Sequence, residues 1–273
     1  MQIISSAEDL AKAVSSARQH GKRIGFVPTM GALHDGHISL VEIAKQDADF
    51  VVVSIFVNPL QFAANEDFDK YPRSLQADAE KLWAVGVDVV FAPSVKDVYP
   101  NGDAITQHAG PVGKTFEGVV RPEHFDGMLT VVARLFDLVQ PDCAVFGKKD
   151  AQQLFLIQRM VRESNHRWGE LKVIAAPIIR EASGLAMSSR NQYLSDTERV
   201  IAAGINLALQ EAQTHGLEAV KAKLDPAIRL DYVALVDADT FEEIDESFKG
   251  QALLIFAGRV GNTRLLDNLS ITI

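Results

Sequence analysis

Apolar β-type runs alternate with helix-like stretches through the first two-thirds of this 273-residue chain. Residues 50–57 are nearly continuously apolar, as expected for a central strand that is buried on both faces of a sheet. Further strand-like runs lie at 24–27, 87–92, 143–147 and 172–176, and helical patterns lie at 37–46, 74–85, 127–139 and 150–164. Strands that alternate with helices form parallel sheets, so the pattern predicts an α/β fold with helices on both faces of a parallel sheet.

The sequence changes character after about residue 180. A stretch rich in Gly, Ser and Asn at 181–194 precedes a helix that opens at Ser195, where Ser195 and Glu198 have the spacing of a capping box. Short strand-like runs follow at 231–236, 252–257 and 265–273. We therefore predict two domains, residues 1–178 and a smaller α+β domain at 179–273, with the boundary near 178–183.

The charge and composition of the chain indicate which kind of molecule it binds. The net charge is −9 and no long Lys or Arg run is present, which argues against broad nucleic-acid binding and favours a small-molecule substrate. No apolar run approaches the roughly 18 residues that span a bilayer, and the first residues do not resemble a secretory signal. The single cysteine, Cys143, predicts a reducing, cytoplasmic compartment. It lies in an apolar run, which indicates a core residue rather than a nucleophile.

The segment 28–37 joins the first strand-like run to a helical pattern through a turn that contains Gly31 and Gly36. A helix start concentrates unpaired N–H groups and partial positive charge, and it attracts phosphate. His34 and His37 stand at this turn and could donate hydrogen bonds to phosphate oxygens. Two other interpretations remain open here: ordinary exposed turn residues, and a zinc pair, which lacks a third ligand at a suggestive spacing.

Other polar clusters also follow strand-like runs, where ligands of parallel sheets bind. At 58–62, Asn58 and Gln61 offer amide groups to a small polar substrate, or they belong to a plain loop. At 147–153, Asp150 has the position of an N-cap. Lys148 and Lys149 favour an anionic ligand, because a cation at a helix N-terminus opposes the dipole.

Two further polar segments, 184–191 and 121–127, indicate a function less specifically. Residues 184–191 contain Ser, Arg and Asn side chains that can contact phosphate from a mobile loop, or they form a solvated linker. In residues 121–127, Asp126 is the predicted N-cap of the next helix, and Arg121 and His124 could reach a site.

Taken together these motifs resemble the pantoate–β-alanine ligase (pantothenate synthetase) family over essentially the whole chain. Residues 28–37 (PTMGALHDGH) are similar to its version of the HIGH signature of nucleotidyltransferases, and 187–191 (MSSRN) to its counterpart of the KMSKS loop. Segments 57–62 (VNPLQF), 71–73 (YPR), 149–153 (KDAQQ), 237–240 (DADT) and 264–268 (RLLDN) match in order and spacing.

The resemblance implies a Rossmann-like N-terminal domain, a C-terminal lid, a homodimer, and a reaction in two steps with ATP and Mg²⁺. Pantoate and ATP give pantoyl adenylate and pyrophosphate, and β-alanine then gives pantothenate and AMP. It implies catalytic roles for His34, His37, Lys149, Ser188, Ser189 and Arg190. The implied ATP site comprises Met30, Gly31, Ala32, Leu33, His34, Asp35, Gly36, His37, Gly147, Lys148, Lys149, Asp150, Ile179, Met187, Ser188, Ser189 and Arg190. Gln61, Gln153 and Met30 would bind pantoate or β-alanine, no residue would bind a metal directly, and Asp78 would contact hydrated Mg²⁺ through water.

Position 148 departs from the family pattern, which usually has Glu where this chain has Lys148. The extra positive charge predicts stronger or more salt-dependent nucleotide binding. Two alternatives stay open from sequence: another nucleotidyltransferase that acts on a phosphorylated acceptor, and a nucleotide-binding module without turnover.

Overall fold

The computed structural model describes residues 1–61, 74–245 and 247–273, with only the backbone of Thr214. These residues form two compact units. The N-terminal unit comprises Met1–Gly147 and Gln153–Ala176, and the C-terminal unit comprises Lys148–Gln152 and Pro177–Ile273. The short segment Lys148–Gln152 therefore belongs with the C-terminal part of the chain rather than with the strand that precedes it.

A six-stranded, wholly parallel sheet with the order β1-β4-β3-β2-β5-β6 forms the centre of the N-terminal unit, which confirms the predicted α/β class. Its strands are β1 (Gln2–Ile4), β2 (Ile24–Thr29), β3 (Phe50–Ile55), β4 (Val89–Phe91), β5 (Cys143–Gly147) and β6 (Lys172–Ala176). Its helices are α1 (Ala7–Gln19), α2 (Asp35–Asp47), α3 (Leu75–Ala84), α4 (Val95–Val98), α5 (Glu117–Val120), α6 (His124–Val139) and α7 (Ala151–Arg162, which begins in the C-terminal unit), with 3₁₀ turns at Pro59–Gln61 and Pro111–Lys114.

Each face of this sheet has its own apolar core, because successive side chains of a strand point to opposite faces. In β3, Val52 packs in the cluster that includes residues of α1 and α6, whereas Val51 and Val53 pack in the cluster that includes residues of α2 and α3. The continuous apolar run at 50–57 is thus explained by burial on both sides.

Two of the elements that were not predicted are β1 and α1. Strand β1 has three residues and pairs with β4 at the sheet edge, which is too short for a periodic signal. Helix α1 does carry a signal, since Ser6 caps it through the N–H of Asp9 and Leu10, Val14 and Ala17 form its buried face.

The C-terminal unit contains an antiparallel sheet of order β10-β9-β7-β8, which agrees with the predicted α+β class of this part of the chain. Its elements are a 3₁₀ turn (Ser189–Tyr193), α8 (Asp196–His215), α9 (Leu217–Lys223), β7 (Ile228–Asp237), β8 (Glu243–Ile244), β9 (Gln251–Val260) and β10 (Thr263–Thr272). Ser195 caps α8 and forms the predicted capping box with Glu198. The hydrogen bonds from the Ser195 backbone and side chain lower the pKa of Glu198.

Among the helices of the described residues, none combines the length and apolar character needed to cross a membrane.

Candidate functional site

The order of the strands reverses at β2. From β2 the chain proceeds to β3 and β4 on one side, whereas β5 and β6 lie on the other side. In open α/β sheets, ligands bind in the crevice beyond the carboxyl ends of the strands at such a switch point. The turn after β2, which the sequence singled out for nucleotide binding, lies at this crevice, and Gly147 ends β5 beside it.

Pro28 lies next to the carboxyl end of β2, at this crevice. The predicted strand ended at residue 27, but β2 continues to Thr29 because it still pairs with β3 there. The carbonyls of successive strand residues face opposite neighbours. That of Ile24 accepts from the Asp142 N–H on the β5 side, and that of Thr29 accepts from the Phe56 N–H on the β3 side, so even-numbered residues of β2 face β5. Pro28 therefore faces β5 and has no N–H to donate, and the pairing of β2 with β5 ends at Phe26.

The two histidines of the turn form a reciprocal cap on α2. The His34 Nδ1 atom accepts from the Gly36 N–H at 3.1 Å, the His37 Nδ1 atom accepts from the His34 N–H at 3.3 Å, and the ring centroids lie 4.1 Å apart. A ring nitrogen that accepts carries no proton, so each neutral ring carries its proton on Nε2. The caps thus orient two N–H donors at the positive end of a helix.

The turn itself is held by Asp78, which is buried on α3 with 1% of its surface exposed. Its carboxylate accepts from the N–H of Ala32 at 2.9 Å and from that of Leu33 at 2.8 Å. Ala32 has a φ of +51°, a left-handed conformation that is unfavourable for a residue with a Cβ. Both carboxylate oxygens thus accept from the backbone of the turn, and the predicted water-mediated contact of Asp78 with Mg²⁺ stays a prediction.

The side chain of Asn58 holds the loop that follows β3. Asn58 is fully buried; its Nδ2 donates to the Gly127 carbonyl at 3.1 Å, and its Oδ1 accepts from the Tyr99 hydroxyl at 2.9 Å. This amide builds the loop, as in the plain-loop interpretation. An ideal Cβ on Gly127 would lie 1.9 Å from the Leu60 carbonyl oxygen, so only glycine allows α6 to approach this turn.

Sequence reasoning left the roles of Arg121 and His124 open. His124 Nδ1 lies 2.9 Å from the Gln61 carbonyl oxygen, and an Arg121 N–H donates to the same oxygen at 3.3 Å. These contacts anchor the backbone of Gln61. Asp126 was wrongly predicted as the N-cap of α6: Glu123 occupies the N-cap, and Asp126 accepts from the Ala109 N–H at 2.8 Å.

The predicted KMSKS-like loop lies in the C-terminal unit and is tied to its own surroundings. Ser188 caps the 3₁₀ turn that begins at Ser189, accepting from the Arg190 N–H at 3.3 Å. Asn191, which is buried, donates to Glu181 Oε1 at 2.8 Å and to the Ala186 carbonyl at 3.1 Å. The loop is thus part of a hydrogen-bonded framework rather than an unstructured linker.

The remaining predicted site residues divide between the two units. Gln153 is half-buried on α7 of the N-terminal unit. The half-buried Lys149 and Ile179, and the exposed Lys148 and Asp150, belong to the C-terminal unit. The Ile179 carbonyl accepts from the Met187 N–H at 2.9 Å, which leads the chain into the loop at Ser188.

In the part of the chain that the structure describes, no group of three or more His, Cys, Asp or Glu side chains is arranged to hold a metal ion. The zinc interpretation of His34 and His37 therefore gains no third ligand. Residue 62 and the motif at 71–73 lie outside the described residues.

Comparison with known proteins agrees with these features. The family profile described as Pantoate-beta-alanine ligase matches residues 2–270. Pantothenate synthetase from Acidothermus cellulolyticus is 54% identical over 259 residues, which is 90% of this chain and 84% of that protein. The crystal structure of pantothenate synthetase from Thermus thermophilus superposes with a TM-score of 0.90 at 44% identity, covering 98% of this chain and 99% of that one.

A second solved structure is that of pantoate-beta-alanine ligase from Francisella tularensis, complexed with beta-gamma ATP and beta-alanine. Its TM-score is 0.83 at 37% identity, with 98% of this chain and 97% of that one covered. Both the match over nearly all of the sequence and the identity to these relatives lead to one conclusion: the chain belongs to the pantoate–β-alanine ligase family.

Proposed function

We propose that this protein joins pantoate to β-alanine with consumption of ATP, through a pantoyl-adenylate intermediate, in the biosynthesis of pantothenate. The observation that carries the proposal is the reciprocal histidine cap at the start of α2, which presents two N–H donors at the switch point of the sheet. Family membership and the ATP- and β-alanine-bound state of the Francisella tularensis relative support the choice of substrates.

In the first step, a carboxylate oxygen of pantoate attacks the α-phosphorus of ATP. The new O–P bond forms as the bond to the β-phosphate oxygen breaks, and pyrophosphate leaves with the electron pair. The enzyme has to hold two anions together and stabilise the growing charge on the leaving group, which requires positioned donors rather than a protein nucleophile. In our proposal His34 and His37 donate from Nε2 to the phosphates, and the backbone from Met30 to Leu33 borders the nucleotide.

The second step replaces AMP by an amine. The nitrogen of β-alanine attacks the activated carbonyl carbon, the C–O bond to AMP breaks, and the nitrogen loses its extra proton to solvent or a nearby base. A free carboxylate does not undergo this exchange at neutral pH, because its oxygen is a poor leaving group. We propose that Gln61 and Gln153 hydrogen-bond pantoate, with Met30 beside it, and that Gln61 also borders the β-alanine position. The anchoring of Gln61 by Arg121 and His124 supports the choice of this side chain.

The C-terminal unit supplies the remaining donors in our proposal. Lys149, Ser188, Ser189 and Arg190 contact phosphates and stabilise the transition state, as a lysine and an arginine beside hydroxyl groups are suited to do. Around them, Gly147, Lys148, Asp150, Ile179 and Met187 border the adenosine or its phosphates. We also propose that the two domains predicted from sequence, 1–178 and 179–273, act as the binding domain and the lid.

Mg²⁺ enters the proposal as part of the ATP complex, because magnesium in such enzymes is bound mainly by phosphate oxygens and water, with one or two carboxylates. A cytoplasmic homodimer completes the proposal; sedimentation velocity at two protein concentrations tests the dimer.

The decisive experiment measures pyrophosphate release from ATP with and without pantoate. We expect release only when pantoate is present, and formation of AMP and pantothenate when β-alanine is added. Another nucleotidyltransferase would release pyrophosphate with a phosphorylated acceptor instead, and a binding module would bind ATP without release. Lack of release with pantoate and ATP would overturn the proposal.

A matched pair of variants tests the histidine roles. His37→Ala removes a proposed phosphate donor, whereas His20→Ala removes an exposed histidine that follows α1 in the same unit. We expect the first to slow pyrophosphate release by about 100-fold, as removal of one transition-state donor does elsewhere, and the second to leave it unchanged. Equal rates for the two variants would exclude His37 from the reaction.

A further inference from the structure

The motif at 264–268 was singled out by its sequence, but none of its residues has a role in the proposed reaction. Two adjacent residues of this motif, Asp267 and Asn268, are buried polar residues on β10, each with 5% of its surface exposed. Buried polar groups are unfavourable unless they are hydrogen-bonded. Their partners therefore indicate why an aspartate and an asparagine are used here.

Asn268 holds the backbone of the lysine segment. Its Nδ2 donates to the carbonyl oxygen of Lys148 at 2.8 Å and to that of Lys149 at 2.9 Å. One carboxamide thus uses both N–H bonds to fix two successive peptide groups, 119 and 120 positions away in the chain. These bonds explain why Lys148–Gln152 groups with the C-terminal unit.

Asp267 holds a second segment of the same unit. Arg180 donates to its two carboxylate oxygens at 2.6 and 2.9 Å, a bidentate pair, and also donates to the Gly184 carbonyl at 3.1 Å. Arg180 is bridged to Ala186 in an antiparallel pair, immediately before the loop that begins at Met187. Asp267 therefore fixes the hairpin that leads into Ser188.

The two side chains point to opposite faces of β10, because they are successive residues of a strand. One rigid dipeptide can therefore hold two separate segments of the chain. These segments carry the phosphate contacts of our proposed function: Lys149 in the first, and Ser188 to Arg190 in the second. Catalysis by positioned donors depends on sub-ångström placement, which a strand provides better than a loop.

We propose that Asn268 and Asp267 are positioning residues for the adenylation step, on which the inference rests: Asn268 places Lys149, and Asp267 places the Ser188–Arg190 loop through Arg180. Neither side chain touches the nucleotide. Each acts through the segment that it holds, and this is what separates the proposal from a contribution to folding alone.

A double-mutant cycle tests the first half. The dissociation constant of ATP is measured by calorimetry for the intact chain, Asn268→Ala, Lys149→Ala and the double variant, without pantoate. We expect Asn268→Ala to weaken binding by about tenfold in the intact chain, and by less than about twofold when Lys149 is already alanine, because coupled residues are not additive. The same loss in both backgrounds would show that Asn268 does not act through Lys149 and would overturn the proposal.

Thr272→Ala is the matched control. It removes a hydrogen bond that Gln251 on β9 donates at 2.9 Å to Thr272 on β10, the strand that also carries Asn268. We expect it to leave ATP affinity and the kcat of pyrophosphate release unchanged, whereas Asn268→Ala lowers kcat by about 10- to 100-fold. Equal effects of the two variants would point to a general loss of sheet stability instead. Should Asn268→Ala fail to fold by circular dichroism, Asn268→Asp keeps the shape, lacks both donors and enters the same cycle with the same two outcomes.

The second half is tested by Arg180→Lys, which keeps the charge but loses the fork that binds Asp267 at two points. We expect a fall in kcat that disappears when Arg190 is alanine; an undiminished fall would overturn the role of Asp267. The ATP-binding cycle requires no turnover, so it stays informative even if pantoate-dependent pyrophosphate release fails. Failure of the proposed function and failure of this inference are therefore distinguishable.

Discussion

Replacing Asp78 by asparagine keeps the shape of the side chain and removes one acceptor atom from the turn after β2. The carboxylate now accepts from two backbone N–H groups, that of the half-buried Ala32 at 2.9 Å and that of the buried Leu33 at 2.8 Å. An asparagine oxygen can accept from only one of them, and its NH₂ group then faces the other N–H. The substitution therefore leaves one of these two donors without its acceptor.

The magnitude follows from these two bonds. A hydrogen bond to a charged group contributes about 1.5–3 kcal/mol, and an unsatisfied buried donor costs about 1–3 kcal/mol. These terms overlap, and removal of a buried charge offsets part of the loss. We expect Asp78→Asn to lower the free energy of unfolding of the N-terminal unit by about 2–4 kcal/mol. Glu80→Gln makes the same chemical change at an exposed position of α3 and should stay within about 0.5 kcal/mol of the unaltered protein.

Urea unfolding followed by tryptophan fluorescence measures the difference. Both tryptophans, Trp83 and Trp168, lie in the N-terminal unit, so the signal reports on that unit. With a slope of about 2 kcal/mol per M, the expected loss moves the midpoint down by about 1–2 M.

The measurement is made in EDTA without nucleotide, so that a magnesium contact cannot contribute. Equal midpoints for Asp78→Asn and Glu80→Gln would refute the argument that the turn depends on this carboxylate. If Asp78→Asn were as stable as the unaltered protein but required more Mg²⁺ for activity, the predicted magnesium contact would be the better explanation.

Three further expectations concern single side chains. His34→Ala should lower the free energy of unfolding by about 1 kcal/mol through loss of the cap, whereas His34→Asn keeps a good N-cap and should leave it unchanged. Both variants should slow pyrophosphate release. A fully active His34→Asn would show that His34 only caps the helix. Lys148→Glu should weaken ATP binding by about two- to fivefold at low salt and by less at high salt. Lys249→Glu makes the same change at another exposed position and serves as the control. Equal ATP affinities of the two variants at both ionic strengths would refute a role for the extra charge. Burial raises the pKa of the Cys143 thiol, so little thiolate forms at pH 8. A thiol reagent should therefore label the chain only after denaturation. Labelling of the folded protein would contradict this expectation.

The periodic elements were largely predictable because burial repeats along the chain. Strands β5 and β6 have the predicted bounds, and Ser195 caps α8 as its spacing with Glu198 indicated. Element ends were less accurate: β4 occupies only Val89–Phe91 of the predicted 87–92, since apolar residues continue beyond the paired backbone.

The supports of the candidate site were not predictable in the same way. Asp78 reaches Ala32 across 46 positions, and Asn268 reaches Lys149 across 119. No local pattern encodes such pairs, because they form only after the sheets are assembled. The family motif did include Asn268, but its hydrogen-bond partners are visible only in the structure.

Pro28 gives the proposed nucleotide crevice a property that an ordinary strand residue would not. Because the missing donor is a covalent feature of the ring, residue 28 cannot donate a hydrogen bond to β5 in any state of the protein, and the pairing of β2 with β5 ends at Phe26. In the proposed reaction, the incoming substrate then does not have to break a hydrogen bond between residue 28 and β5 as it binds, which lowers the cost of binding. A valine at position 28 would restore the donor and allow the two strands to pair further. The sheet would then gain a hydrogen bond and lose the space in which the reaction is proposed to occur.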